Sequence, residues 1–372
     1  MTKIDSIERL KTLSLAQIKA EVKALKKELP KDRRNRVTYS KNFTLSLSNY
    51  CQNQCGYCFY NYKIPKIGGE GNVVLLDNEP MTTLIQKGLH FNCKEALLMS
   101  GERPESFAVV QDELQKSNCT DYIEFVADIC SYLLDFNLLP HTNIGLLSFE
   151  ELERLKDFNA SMGLMLESTS LRLFEKGQVH ELSPNKKPEF RIRHIKDAGK
   201  LKIPFTTGLL LGIGETMEER IHDLLLIKQI HEEYGHIQEV IIQNFVKKPG
   251  ISYQPETPIT LQETLRTAGL ARIVFGNEIA VQVPPNLIEG YEKEALELGV
   301  NDFGGISPFT IDYINPMHSW PQIENLTKKL EMFGYSLKER LPIYDKFISK
   351  PEFCPQNIKK PLDNINLDDA DR

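Results

Sequence analysis

Phe43-Thr44-Leu45-Ser46-Leu47-Ser48-Asn49-Tyr50-Cys51-Gln52-Asn53-Gln54-Cys55-Gly56-Tyr57-Cys58-Phe59-Tyr60 reads as a strand that runs out into a loop of cysteines. Apolar and hydroxyl residues alternate over 43–48, the period of a strand, so the three thiols leave its carboxyl end. Cys51, Cys55 and Cys58 are expected to ligate one metal centre. Structural zinc and electron-transfer clusters take four protein ligands, so three leave one position open for a small molecule. Two other readings stand beside this one: a zinc site completed by His90 or Cys93, and three buried thiols with no ligand.

Outward from this stretch the chain repeats a pattern. Short apolar runs at 43–48, 95–99, 142–147, 162–167, 204–211, 238–244, 278–283 and 302–306 alternate with helical stretches at 79–91, 121–137, 149–157, 189–199, 216–234, 260–275 and 289–299. Eight βα-type repeats predict an α/β fold, a (β/α)8 TIM-type barrel whose functional groups follow the carboxyl ends of the strands. A helix over 14–29, capped by Ser14 and stopped by Pro30, is expected to pack outside it. The expected organisation is an N-terminal helical extension (1–36), a barrel domain (37–335) and a C-terminal extension (336–372) whose last residues, 351–372, read as a mobile tail. The glycine run Ile67-Gly68-Gly69-Glu70-Gly71 lacks the lysine and hydroxyl of a P-loop and reads as a loop.

A net charge of −6 gives no electrostatic reason for nucleic-acid or anionic-membrane binding. The basic patch Lys31-Asp32-Arg33-Arg34-Asn35-Arg36 is short and reads as a solvated connector. No stretch reaches the roughly 18 apolar residues of a membrane span, and the first residues lack a signal peptide's apolar core, so a cytoplasmic protein is expected. Cys93, Cys119, Cys130 and Cys354 are too scattered for a disulfide framework.

The C-x3-C-x2-C spacing with Tyr57 before the last cysteine resembles the signature of the radical S-adenosylmethionine (SAM) enzymes. That resemblance implies a [4Fe-4S] cluster on the three thiolates, with SAM on its open iron. It also implies roles for the strand ends. Gly101 and Glu102, in Met99-Ser100-Gly101-Glu102-Arg103-Pro104, are similar to the family's glycine-glycine-glutamate segment near the SAM amino group, although Ser100 replaces the first glycine. Glu167, with Ser168 beside it, is the candidate for the ribose hydroxyls; a helix cap is the plain alternative. Gly208, Leu210, Gly212 and Glu215 match a G-x-I/L-x-G-x-x-E pattern placed near adenine, and Gln243 ends the sixth strand with an amide either for adenine edges or as the ordinary polar flank of a core strand. Arg191 is the nearest cation for the SAM carboxylate, unless it is an ordinary exposed helix arginine.

Further stretches narrow the resemblance. Gly101-Glu102-Arg103-Pro104-Glu105, Ile203-Pro204-Phe205-Thr206-Thr207-Gly208 and Asn301-Asp302-Phe303-Gly304-Gly305-Ile306-Ser307-Pro308, followed by Asp312-Tyr313-Ile314-Asn315-Pro316 and Trp320-Pro321, resemble the CofG-type subunit family of FO synthase over roughly residues 38 to 335. FO is 7,8-didemethyl-8-hydroxy-5-deazariboflavin, the chromophore of coenzyme F420. The resemblance implies a radical SAM lyase that closes the ring of a hydroxybenzyl-ribityl-uracil adduct with loss of ammonia. Association with a second FO synthase subunit and an external electron donor are implied as well. Ser307, Asp312 and Asn315 are placed either to hold the ribityl chain at the barrel mouth or simply to plug it, and no catalytic acid or base is assigned. The rival readings are another radical SAM enzyme (the partner subunit, or a biotin-synthase-like or menaquinone-pathway relative) and a non-catalytic metal-binding interaction protein.

Overall fold

The computed structural model describes residues 3–64 and 71–365. Residues Ile67 to Glu70 of the glycine run and 366–372 of the tail lie outside them. Eight parallel strands close into a barrel: β1 (Arg36–Ser48), β2 (Glu95–Ser100), β3 (Leu139–Asn143), β4 (Ser161–Gly163), β5 (Phe205–Leu211), β6 (Ile237–Asn244), β7 (Ala280–Gln282) and β8 (Asp302–Ile306), with β1 paired to both β8 and β2. The expected (β/α)8 barrel is therefore the fold, and each expected strand has a counterpart.

The strand β1 is 13 residues long, and its two halves do different work. Asn42 to Ser48 pair with β2, carrying the chain up to the cysteine loop, while Arg36 to Tyr39 pair with a ninth parallel strand, β9 (Ser336–Glu339). The so-called C-terminal extension thus begins as part of the sheet. It continues under the barrel, where Leu341, Ile343, Phe347, Phe353, Ile358 and Ile365 bury themselves against Leu139 and Ala160. The tail expected to be mobile is packed as far as residue 365, because Phe353, Ile358, Leu362 and Ile365 give it an apolar stripe to bury.

The outer layer contains α1 (Lys3–Thr12), α2 (Leu15–Glu28), α3 (Asn78–His90), α4 (Ala108–Lys116), α5 (Tyr122–Asp135), α6 (Phe149–Lys156), α7 (Pro188–Lys200), α8 (Met217–Tyr234) and α9 (Leu261–Phe275). Where one N-terminal helix was expected there are two, packed on α8 and α9. Ser14/Gln17, Ser148/Glu151, Thr216/Glu219 and Thr260/Glu263 form reciprocal capping boxes, so local sequence sets where α2, α6, α8 and α9 begin.

Barrels of this kind usually fill their interior with layers of branched apolar side chains. Here the inward positions include Asn42, His141, Thr206, Glu239, Gln243 and Gln282, and a cavity of about 360 Å³ runs from the cysteine loop down the barrel. Its floor is closed by Arg340, just past β9. The guanidinium Nε and Nη2 donate to Asp302 at 2.6 and 2.9 Å, and Nη2 donates to Glu239 at 2.5 Å. Tyr344 donates to the same carboxylates, and Thr206 Oγ1 to the other Glu239 oxygen at 2.8 Å.

Candidate active site

The cysteine loop is clamped from two sides before any ligand is considered. Gln52 N–H donates to Glu102 O at 2.9 Å, tying it to the turn after β2. Gln54 and Gly56 N–H donate to Leu182 and Val179 carbonyls at 3.0 and 2.8 Å, tying it to the segment after β4. The approach to the β2 turn is so close that a Cβ on Gly101 would sit 2.0 Å from Tyr50 O, so only glycine fits there.

Cys51, Cys55 and Cys58 all line the cavity mouth. Glu102 N–H donates to Cys51 Sγ and Ser183 Oγ to Cys55 Sγ, each at 3.2 Å. Burial pushes the Cys51 thiol up to about 11, and burial raises Cys55 further. Thiols in such a place become thiolates when iron is there to take the charge. Among the described residues no three His, Cys, Asp or Glu side chains converge on a point that could hold a single metal ion. A [4Fe-4S] cluster takes one thiolate per iron, so thiols spread around a cavity mouth, with hydrogen bonds already aimed at two sulfurs, suit it.

Next to the thiols lies a buried charge cluster of two carboxylates and two cations. Glu102 rests on Asn53 Nδ2 at 3.1 Å and on Arg191 at 3.5 Å. Glu167 accepts from Tyr57 Oη and Lys186 Nζ, with Arg191 Nη2 at 3.9 Å and His180 Nε2 at 3.7 Å. Burial alone would raise the Glu167 carboxyl; Lys186, then His180 and Arg191, outweigh it and hold it well below the usual carboxylate range. The Glu167 backbone has a φ of +64°. It is held there by β5, its N–H donating to Gly208 O at 2.9 Å and its carbonyl accepting from Leu210 N–H at 3.2 Å. Arg191 enters from α7, is 3 % exposed, and donates from Nε to Met165 O at 2.6 Å. Its Nη1 is buried and has no hydrogen-bond partner. That nitrogen faces Glu102 Oε2 at 3.5 Å, an ion pair without a hydrogen bond, so it keeps donor capacity for an anionic ligand group.

Of the residues singled out from the sequence, the cavity wall brings together Cys51, Cys55, Cys58, Tyr57, Gly101, Glu102, Glu167, Arg191 and Gln243. Leu210, Asp312 and Asn315 line the same cavity, whereas Gly208, Gly212, Glu215 and Ser168 stand behind its wall. Gly208 lets β6 approach, since a Cβ there would lie 2.4 Å from Ile241 O. Gly212, at a φ of +85°, and Ile213 donate backbone N–H groups to Glu215 at 2.8 and 2.9 Å, and Arg220 holds the same carboxylate at 2.7 Å. Glu215 therefore ties the β5–α8 loop. Ser168 Oγ accepts from Ser170 N–H at 3.2 Å. Lys186, His180 and Ser183 are site residues that sequence reasoning missed; they lie on an irregular segment with no motif spacing, and only the fold carries them to the thiols.

Residues 45–227 match the family model described as the Radical SAM superfamily. This is the class that the barrel and the three-thiol mouth define. Solved structures with the same fold include the FeFe-hydrogenase maturase HydG from Carboxydothermus hydrogenoformans, with a TM-score of 0.73, 16% identity and coverage of 97% of this chain and 84% of that one. Methylornithine synthase (PylB) aligns with a TM-score of 0.66 at 19% identity, over 90% of this chain and 94% of that one. Much greater sequence similarity comes from the 7,8-didemethyl-8-hydroxy-5-deazariboflavin synthases. That of Methanothermobacter thermautotrophicus is 43% identical over 87% of this chain and 96% of its own length, and that of Methanocaldococcus jannaschii is 44% identical over 86% of each. The chain belongs to the 7,8-didemethyl-8-hydroxy-5-deazariboflavin synthase family.

Proposed function

We propose that this protein forms FO from 5-amino-5-(4-hydroxybenzyl)-6-(D-ribitylimino)-5,6-dihydrouracil, as a radical SAM lyase of coenzyme F420 biosynthesis. The observation that carries the reading is identity of 43% to an FO synthase across 96% of that relative, joined to a closed barrel with three thiols at its mouth. A reduced [4Fe-4S] cluster held by Cys51, Cys55 and Cys58 would supply, with SAM, the hydrogen-abstracting radical chemistry that ring closure with ammonia loss needs.

The chain's own residues bind, orient and exclude water. Cys51, Cys55 and Cys58 hold the cluster. Arg191 Nη1, which faces Glu102 without a hydrogen bond, receives the SAM carboxylate, and Glu102 meets its amino group from the β2 turn. Glu167, held ionised by Lys186, His180 and Arg191, accepts from the ribose hydroxyls, and Gln243 lies on the adenine side. Gly208, Gly212, Ser168 and Glu215 shape the wall that these groups stand on. An external electron donor and association with the second FO synthase subunit, which would deliver the adduct, belong to the same reading, as does a cytoplasmic location. Among the described residues no helix is long and apolar enough to cross a membrane.

The test is product fluorescence. Anaerobically reconstituted, reduced protein with SAM should turn the adduct into a fluorescent deazaflavin, and tyrosine plus the ribityl-uracil should not replace the adduct. Turnover of tyrosine instead would assign the partner subunit's role, and SAM cleavage without a deazaflavin would move the protein to another radical family.

A further inference from the structure

The cavity is polar at its floor and aromatic at its mouth. Tyr60, Phe245, Tyr313 and Trp320 line the upper part, while Asn42, His141, Glu239 and Gln282 line the lower part. Two glycines of β8 create that floor. A Cβ on Gly304, which has a φ of +66°, would lie 2.0 Å from Gln282 Nε2, and one on Gly305 would lie 2.1 Å from Asn42 Nδ2. The pairing of β1 with β8 slips by one residue at this point, between Thr38 and Ser40. The strand is thus bulged and stripped of side chains where amides from β7 and β1 reach across it. Gln282 is 7% exposed, and its Oε1 is buried without a hydrogen-bond donor. An amide oxygen placed in that way costs free energy unless a ligand donates to it.

Ser307 and Asp312 of the β8 loop are otherwise engaged. Ser307 Oγ accepts from Thr310 N–H and Oγ1–H at 2.9 and 2.6 Å. Asp312 accepts from the backbone N–H groups of Ile314 and Asn315, both at 2.9 Å, and from the Asn286 and Asn315 amides at 3.0 and 3.1 Å. Of the three residues that the sequence offered for the ribityl chain, only Asn315 keeps an unpaired oxygen.

The geometry points to the barrel floor, with Gln282 as its specificity-determining residue and Asn42 beside it, as the seat of the substrate's neutral hydroxylated chain. This inference rests on the reaction proposed above and fixes the orientation of the substrate within it. Hydroxyls both donate and accept, so a polyol suits a floor of neutral amides. An added anion would meet Glu239 and Asp302, and an added cation would compete with Arg340 for them. The aromatic mouth is left for the hydroxybenzyl ring, next to the thiols.

The experiment compares two substrates on the reconstituted holoenzyme: the ribityl adduct and an analogue carrying an unhydroxylated pentyl chain. Wild type should favour the ribityl adduct at least about tenfold in kcat/KM, the worth of one or two buried hydrogen bonds. Gln282→Met keeps the volume and removes the amide. It should raise KM for the ribityl adduct about tenfold with kcat within about threefold, and leave the pentyl analogue unaffected. Titration of FO fluorescence gives the same comparison without turnover. Circular dichroism and iron content report folding, and Asn42→Ser carries the same prediction if Gln282→Met does not fold. A folded variant that keeps the full chain preference overturns the inference, as does a wild type with no preference, and both leave the proposed reaction standing. A wild type that makes no deazaflavin overturns the reaction, and the inference with it.

Discussion

Replacing Arg191 with glutamine removes a guanidinium that faces both Glu102 and Glu167. With Lys186 the two carboxylates and two cations cancel, so the variant leaves one uncompensated negative charge in a buried cluster. Breaking buried pairs in this way costs about 3–5 kcal/mol of stability. Lys186 stays in contact with Glu167, so the loss should fall at the low end, about 3 kcal/mol by denaturant unfolding. The effect on ligand binding is separate. A charge-assisted hydrogen bond from Nη1 to the SAM carboxylate is worth about 1.5–3 kcal/mol, so the Kd for SAM should rise about 10- to 150-fold. The assay is equilibrium dialysis of SAM on anaerobically reconstituted protein, with iron content as the check on the cluster. Arg193→Gln, an exposed neighbour on α7, is the control and should bind SAM as wild type does. A folded, iron-loaded Arg191→Gln protein whose Kd stays within about threefold of wild type would refute the reasoning.

Alanine at Cys51, Cys55 or Cys58 should reduce iron from about four per chain to near zero and abolish SAM cleavage while circular dichroism stays native, since the thiols sit on a loop; about eight irons in wild type would mean a second cluster. Arg340→Met strands Glu239 and Asp302 at the barrel floor and should cost about 3–5 kcal/mol. That loss, measured against wild type at each pH, should shrink as pH falls, because burial, with Asp302 adding to it against Arg340, already raises the Glu239 carboxyl. Burial first, then Arg191, lowers His194 to about 3, and burial lowers His236 to about 3. The unfolded chain therefore binds these protons first, and each ring should remove about 1.4 kcal/mol of stability per pH unit as pH falls below about 6.5 toward 3. His194→Gln should take its share out of that slope in urea titrations at stepped pH.

What could be read from the sequence was local. The Ser14/Gln17 and Thr216/Glu219 caps mark helix starts within a residue, and the cysteine spacing marks the end of β1, because both depend on neighbours a few positions apart. Glu102, Glu167 and Gln243 were found because a barrel places strand ends on one face. Ser168 and Glu215 lay close in sequence to that face, yet their side chains turn back to backbone N–H groups, an outcome that depends on φ at Glu167 and Gly212. Lys186, Ser183 and Arg340 could not be read at all, since they meet partners 19, 128 and 101 residues away. The floor glycines were visible as a pair, but their purpose appears only when Gln282 and Asn42 arrive from other strands.

The central claim is that this chain closes a deazaflavin ring by hydrogen abstraction from the hydroxybenzyl-ribityl-uracil adduct. The most direct measurement follows the label from deuterated adduct in a reaction with reduced, reconstituted protein and SAM, reading deazaflavin fluorescence and the isotope content of 5′-deoxyadenosine together. The account predicts fluorescent FO and deuterium in 5′-deoxyadenosine rising in parallel. Unlabelled 5′-deoxyadenosine without FO, from adduct deuterated at all its carbon-bound positions, would contradict it.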